Sequence, residues 1–353
     1  MAARSTIYGV ARRSGVSTAT VSRVMHNGAG FSAATRERVL AAAADLGWVP
    51  SGPARGLASR RAGIVGVLFP DLGASGEAEE ESPLYVDEVI RGAERAATAV
   101  GDAVLIAATR GASGRDLAYS VAGKVDGLVV MARSLAEHDI ETISRSVPIV
   151  VFANRPARRG HDCVGADNRG GVGAIVAHLV QEHGYTDLAF VGGPARSPDS
   201  VERFAGFRKA LNTAGLPVLD SPDAEGGFTE VGGARAIRAL LADRRPPHAI
   251  VCGNDEMAIG ALAVLRTAKL RVPGEVAVTG FDDIASARHM RPPLTTVRQP
   301  MRDLGEEAVR VLLERVNDPD AARCSVVMPT QLVIRRSCGC RTRSAAGREW
   351  LAS

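Results

Sequence analysis

Thr6-Ile-Tyr-Gly-Val-Ala-Arg-Arg-Ser-Gly-Val-Ser-Thr-Ala-Thr-Val-Ser-Arg-Val-Met25 decides how the chain begins. Ile7, Val10 and Ala11 recur at i, i+3 and i+4, the spacing of one helix face. Gly15 breaks that pattern, and Ser17 offers an N-cap to a second helix whose Val21, Val24 and Met25 face inward. Thr18, Ala19, Ser22 and Arg23 are thereby turned outward. A third helix is expected from near Ser32 through Thr35 to Leu46, stopping at Gly47, with Trp48 closing a small core.

Charge separates this head from the rest. Residues 1–61 hold nine arginines and two acids, a net +7, whereas the remainder carries 34 basic and 37 acidic groups, a net −3. A small basic head on a mildly acidic body points to a polyanionic partner for the head alone. Helix, glycine turn, helix is the helix-turn-helix spacing, in which the second helix enters the major groove and reads base edges with its first residues. Arg23 offers a bidentate contact to guanine, while Thr18, Ala19 and Thr20 offer hydroxyl and methyl contacts. Ser22, Ser32 and Thr35 suit phosphate oxygens. A three-helix bundle without a nucleic-acid role is the competing reading, and the +7 charge argues against it.

Beyond the head, Val49-Pro-Ser-Gly-Pro-Ala-Arg-Gly-Leu-Ala-Ser-Arg-Arg61 reads as a basic linker. Ala54 to Ala58 is a short helix candidate with Pro53 in its first turn, but two glycines make it poor in isolation, so order is expected only on binding. From Gly63, strand-length apolar runs (Ile64–Phe69, Gly127–Met131, Ile149–Phe152, Leu188–Val191, Ala249–Cys252) alternate with helical stretches (Val86–Val100, Val172–Glu182, Val201–Ala214, Met257–Thr267). That alternation predicts parallel sheets covered by helices, and its length predicts two α/β lobes. The expected organisation is a helix-turn-helix head over 1–50, a hinge over 51–62, a two-lobed domain over 63–337 and a basic flexible tail over 338–353. The chain is expected to cross between lobes near 153–163, 298–302 and 317–325. Gly73-Ala-Ser-Gly-Glu-Ala-Glu-Glu-Glu-Ser82 reads as a mobile acidic insertion.

Several classes are disfavoured. No stretch approaches the ~18 apolar residues of a membrane span, and the first residues lead into no apolar run, so a cytoplasmic protein is expected. Five cysteines, Cys163, Cys252, Cys324, Cys338 and Cys340, do not form a disulfide framework. Cys338-Gly-Cys340 has no second Cys/His pair close by in the sequence, so no metal site is expected and the pair reads as incidental. Gly171-Val-Gly-Ala-Ile-Val176 lacks the third glycine of a dinucleotide fingerprint. No catalytic triad stands out, and neither an enzymatic activity nor a cofactor is expected.

The stretch 6–25 closely resembles the N-terminal signature of the LacI/GalR repressor family, as do Thr35-Arg-Glu-Arg-Val-Leu40 and Leu46-Gly-Trp-Val-Pro50. Further matches are Val125-Asp-Gly-Leu, Asp167-Asn-Arg, Arg203-Phe-Ala-Gly-Phe, Gly253-Asn-Asp-Glu-Met-Ala-Ile-Gly, Gly280-Phe-Asp-Asp and Pro293-Leu-Thr-Thr-Val-Arg-Gln-Pro, so the resemblance runs from about residue 6 to 337. It implies a homodimer on an inverted-repeat DNA operator and a body like periplasmic sugar-binding proteins of type I. It implies that Ala54 and Arg55 belong to a minor-groove hinge helix whose Leu57 wedges into the central step. It places the effector between the lobes, near Arg203, Asn254, Asp282 and Phe228, with Tyr85 and Asn154 as further contacts. An arginine fork facing a carboxylate suits vicinal hydroxyls, so a sugar is the expected effector. The chain departs from the family pattern at Ser82-Pro-Leu-Tyr85, which comes late behind the insertion, and at Asn154, His26 and Ser51-Gly52. Inducer and co-repressor control both stay open, and a solute-binding protein without a DNA role is the alternative of another class.

Overall fold

The computed structural model describes residues 6–25, 30–49, 61–70, 83–152 and 161–340. Ala54, Arg55 and Leu57 of the hinge lie outside the described residues, as do His26, the insertion 73–82, Asn154 and the tail beyond Cys340. The chain divides into two compact units, Met1–Gly63 and Ile64–Ser353.

The first unit is built from α1 (Ile7–Ser14), α2 (Thr18–Met25) and α3 (Ala33–Asp45). Gly15 ends α1 in the left-handed region at φ 69°. The Ser17 hydroxyl accepts from the Thr20 amide at 3.1 Å and starts α2. Ser32 does the same for α3 through the Thr35 amide at 3.2 Å. Val10, Val21, Val24 and Val39 are buried between the helices, with Phe31, Leu46 and Trp48 packed against them. The Arg13 guanidinium, 2.7 Å from the Asp45 carboxylate, ties α1 to α3.

The second unit holds two parallel sheets. Its first lobe comprises β1 (Ile64–Pro70), α4 (Pro83–Ala99), β2 (Ala103–Thr109), α5 (Gly111–Ala122), β3 (Gly127–Val130), α6 (Glu137–Ile143), β4 (Ile149–Phe152) and β5 (Asp162–Ala166). Its second lobe comprises α7 (Asn168–His183), β6 (Leu188–Gly192), α8 (Pro198–Thr213), β7 (Ala224–Glu225), α9 (Glu230–Asp243), β8 (Ala249–Cys252), α10 (Asp255–Thr267), β9 (Ala277–Thr279) and β10 (Thr296–Arg298). The chain then returns as α11 (Met301–Asn317) and β11 (Ser325–Met328) to the first lobe, and ends in β12 (Gln331–Val333), antiparallel to β10. The sheet orders are β11-β5-β4-β3-β1-β2 and β7-β6-β8-β9.

Alternate residues of each strand serve opposite cores, because side chains of a strand point to opposite faces. Val130 and Val151 join Ala118 and Ile140 from α5 and α6. Val129 and Val150 instead meet Val89 and Leu304 from α4 and α11. In the second lobe Phe190 and Val251 pack with Ile175 and Phe207, while Ala189 and Ile250 pack with Ile237 and Ala261. This two-sided burial is why the strands read as continuous apolar runs. α4 and α11 pack closely enough that a Cβ on Gly92 would stand 1.9 Å from the Arg302 carbonyl oxygen.

Two expectations need correction. The lobe crossings lie at 166–168, 298–301 and 328–331, because 162–166 and 325–328 pair with each other as adjacent strands of the first sheet. The expectation that Cys338-Gly-Cys340 stands apart from other metal-ligating side chains also fails. Cys338 is fully buried in the second lobe, and His178 and His183 of α7 lie beside the pair. The two are neighbours only in the folded chain.

Candidate functional site

The sequence singles out two regions, which lie in different units. In the head, burial of Val21 and Val24 leaves Ala19 and Arg23 exposed and Thr18, Thr20 and Ser22 half-buried on α2. Ser32 and Thr35 meet hydroxyl to hydroxyl at 3.0 Å, so both serve the α3 cap as well as facing outward. Arg12, Arg36 and Arg38 are exposed on the same unit. Tyr8, 71% exposed on α1, is an outward aromatic that the sequence reading passed over. The inward positions Ile7, Val10 and Ala11 already imply its direction.

In the body, a cleft opens between the lobes at the carboxyl ends of their parallel strands. Open α/β sheets place ligands at such ends. Tyr85, Met131, Phe152 and Ala166 line it from the first lobe, facing Asp199, Arg203, Phe228, Asn254, Asp282 and Gln299 of the second. Tyr85, Arg203, Phe228, Asn254 and Asp282, far apart in sequence, therefore share one wall system.

Arg203 projects from α8 and is 4% exposed. Its Nε donates to Asn168 Oδ1 at 2.8 Å, and its Nη1 donates to the Gly253 carbonyl at 2.7 Å. Nη2 stands 3.5 Å from Asp282 Oδ1. The guanidinium lies over the Phe281 ring at 3.9 Å and over Phe228 at 5.5 Å. Asn168 in turn donates to Asp199 Oδ1 at 2.8 Å, and Gln299 donates to Asp282 Oδ1 at 2.6 Å. Sequence reading missed Asn168, Asp199 and Gln299. Their signals are the Asp167-Asn-Arg and Arg298-Gln-Pro motifs and the i, i+4 spacing of Asp199 and Arg203.

Asn254 lines the cleft and also has partners within the protein. Its Oδ1 accepts from the Met257 amide at 3.0 Å, capping α10, and its Nδ2 donates to the Phe228 carbonyl at 2.9 Å. The side chain thereby holds Phe228, whose backbone sits at φ 65°. Asp282 and Asp283 also occupy the left-handed region, at φ 115° and 57°. Such conformations cost of order 1–3 kcal/mol each and collect at ligand clamps.

Burial pushes the Asp282 carboxyl up to about 7, against the opposing pull of Arg203 and Gln299, while Glu256 and Asp199 add repulsion. Burial also raises Asp255, behind the cleft, although Thr296 Oγ1 and the Ile284 amide donate to it. An ordinary aspartate titrates near ~3.9, so the folded state holds the Asp282 proton more tightly than the unfolded chain. The stability this provides is complete below about pH 4 and is lost as pH rises through about 7. Asp282→Asn removes that titration. Its melting temperature should therefore fall less than that of wild type between about pH 5 and pH 8. Equal slopes would mean an ordinary, ionised Asp282.

Among the described residues no helix is long and apolar enough to cross a membrane. The profile of bacterial regulatory proteins of the lacI family matches residues 6–51, and that of a periplasmic binding protein-like domain matches residues 176–338. The chain is similar to catabolite control protein A of Priestia megaterium, at 33% identity over 94% of this chain and 98% of that protein. It is similar to the ribose operon repressor of Escherichia coli K12, at 34% identity over 89% and 94%. Among solved structures it resembles the lac repressor dimer bound to operator and the anti-inducer ONPF, with TM-score 0.80, 28% identity and coverage of 95% and 99%. It also resembles a complex of the transcriptional regulator CelR with cellobiose, with TM-score 0.70, 30% identity and coverage of 95% and 100%. With a helix-turn-helix head, a two-lobed body and relatives that are transcriptional regulators along nearly its whole length, the chain belongs to the lacI family of bacterial regulatory proteins.

Proposed function

We propose that this chain is a homodimeric, sequence-specific DNA-binding repressor of the cytoplasm whose operator affinity is set by a sugar held in the interlobe cleft, and that it is a regulator rather than an enzyme. The observation that carries the effector half is the pairing of buried Arg203 with Asp282 beside the Phe228 and Phe152 rings. Sugars have apolar faces for such rings and hydroxyl edges for an arginine and a carboxyl group. Asn154, outside the described residues, is a further candidate contact. The ribose and cellobiose named for two relatives belong to the same chemical class.

A ligand touching both lobes favours one interlobe angle over another. The first lobe begins at residue 64, directly after the hinge over 51–62, so that angle bears on the spacing of two hinges in a dimer. Ala54 and Arg55 would follow the minor groove while Leu57 unstacks the operator's central step, at a cost lowest for a pyrimidine–purine step. Thr18, Ala19, Thr20, Ser22 and Arg23 would read each half-site, with Ser32 and Thr35 at phosphates. Selection of bound fragments from genomic DNA, repeated with a panel of sugars, tests the reading. The expected result is an inverted repeat with a deformable centre, and one sugar should alter its enrichment in the direction that distinguishes inducer from co-repressor. Enrichment of non-symmetric sites alone would contradict a dimeric helix-turn-helix.

A further inference from the structure

The second lobe carries a side-chain cluster that DNA binding and the effector cleft do not use. His178 and His183 come from the last turns of α7, and Cys338 and Cys340 from the segment after β12. One ligand atom from each of the four lies within 4.8 Å of every other. We propose that His178, His183, Cys338 and Cys340 bind one zinc ion, forming a structural site that fastens the end of the second lobe to α7.

The distances suit a tetrahedral ion. Cys340 Sγ stands 3.5 Å from His178 Nε2 and 3.4 Å from His183 Nε2. With Zn–S near ~2.3 Å and Zn–N near ~2.0–2.1 Å, tetrahedral angles require sulfur–nitrogen separations of about 3.5 Å. The two imidazoles are nearly perpendicular, at 82°, with centroids 5.1 Å apart, so their Nε2 atoms reach the cluster without the rings stacking.

The surroundings hold these groups in place. Thr295 Oγ1 donates to Cys338 Sγ at 3.1 Å. Tyr185 Oη donates to the Cys338 carbonyl at 3.2 Å, and its ring stacks on His183 at 5.2 Å. Such outer hydrogen bonds and packing orient metal ligands. Gly339 sits at φ 113°, and a Cβ there would stand 3.1 Å from Tyr185 Oη and 3.2 Å from His183 Cε1. The glycine between the cysteines is thus what lets the turn close against the histidine.

Charge and softness select the metal. Two thiolates and two neutral imidazoles cancel the charge of a divalent ion, which suits a site where Cys338 is fully buried and His178 is 8% exposed. Cys₂His₂ is a donor set of structural zinc, and four protein ligands leave no open position for substrate. The bridged segment includes Ser337, whose hydroxyl accepts from the Thr295 amide at 2.8 Å and donates to the Val278 carbonyl at 2.6 Å. A metal here would therefore brace the strands that lead into the cleft.

The test uses the full chain, expressed without a histidine tag in zinc-supplemented medium. Elemental analysis should find about one zinc per chain, and almost none in the Cys338→Ser, Cys340→Ser double variant. Should that variant misfold, wild-type protein stripped by a chelator and loaded with cobalt(II) gives an independent readout. It should show the intense visible bands of tetrahedral cobalt and a thiolate charge-transfer band, both weakened in His183→Gln. Absence of zinc together with a weak octahedral cobalt spectrum would overturn the proposal. So would a native mass two hydrogens low with Cys338 and Cys340 joined as a disulfide.

Discussion

Arg203→Ala is expected to abolish the response to effector while leaving operator affinity within about 0.5 kcal/mol of wild type. Arg203 and Asp282 are each 5% exposed in their side chains, so solvent screens their interaction little. Without the arginine the Asp282 carboxyl loses a group that holds its pKa down, so it takes up a proton and no longer offers a carboxylate to a ligand. The same substitution frees Asn168 Oδ1 and the Gly253 carbonyl and strips the cation from the Phe281 face. These losses fall on the cleft. The residues of α2 proposed to read DNA belong to the other compact unit. Loss of a hydrogen bond from a charged group to the ligand, about 1.5–3 kcal/mol, should therefore lower effector affinity by roughly 10- to 100-fold. Operator binding titrated with effector measures this in wild type and variant. A variant that responded at the wild-type effector concentration would move the effector site away from Arg203.

Arg23→Ala is expected to act at the opposite end of the chain. A bidentate arginine–guanine contact discriminates by about 1–3 kcal/mol, and two half-sites double that when their contributions add. Specific affinity should fall accordingly, and base preference at one position of each half-site should relax. Non-specific affinity should fall far less, since Arg12, Arg36 and Arg38 still present charge. If Arg23 instead met a phosphate, the loss would be uniform across sequences and the salt dependence would shallow by about one counterion per contact. Binding-site selection at two salt concentrations separates the two roles.

Much of this architecture can be read from the sequence because the strands of both sheets are buried on both faces. Ile149–Phe152 and Ala249–Cys252 have no exposed side to dilute their apolar runs. The strands β5 and β11 are harder to see. Asp162 opens β5 with a buried carboxylate whose partner, Arg315 at 3.0 Å, comes from α11. β11 alternates exposed and half-buried residues. Neither segment reads as a strand until its neighbour is known, and the two misplaced lobe crossings follow from that.

The cleft was partly legible for a similar reason. Resemblance supplied Arg203, Phe228 and Asp282, but not the hydrogen bonds by which Asn168, Asp199 and Gln299 hold them, since these depend on how elements pack. Asn254 lines the cleft, and its amide also caps α10 and holds Phe228. The Cys/His cluster joins two local pairs, Cys338 with Cys340 and His178 with His183, whose meeting is invisible in the sequence because α7 and the segment after β12 come together only in the fold.

The central claim is that one small molecule and one operator bind this chain and influence each other. Thermodynamic linkage makes that measurable from both sides, because the factor by which effector changes operator affinity must equal the factor by which operator changes effector affinity. The decisive measurement is operator affinity at zero and saturating sugar, paired with sugar affinity for the free dimer and for the dimer on DNA. The account predicts equal factors, about 5–150-fold, in wild type and none in Arg203→Ala. Operator affinity unchanged by a sugar that binds the interlobe cleft would contradict it.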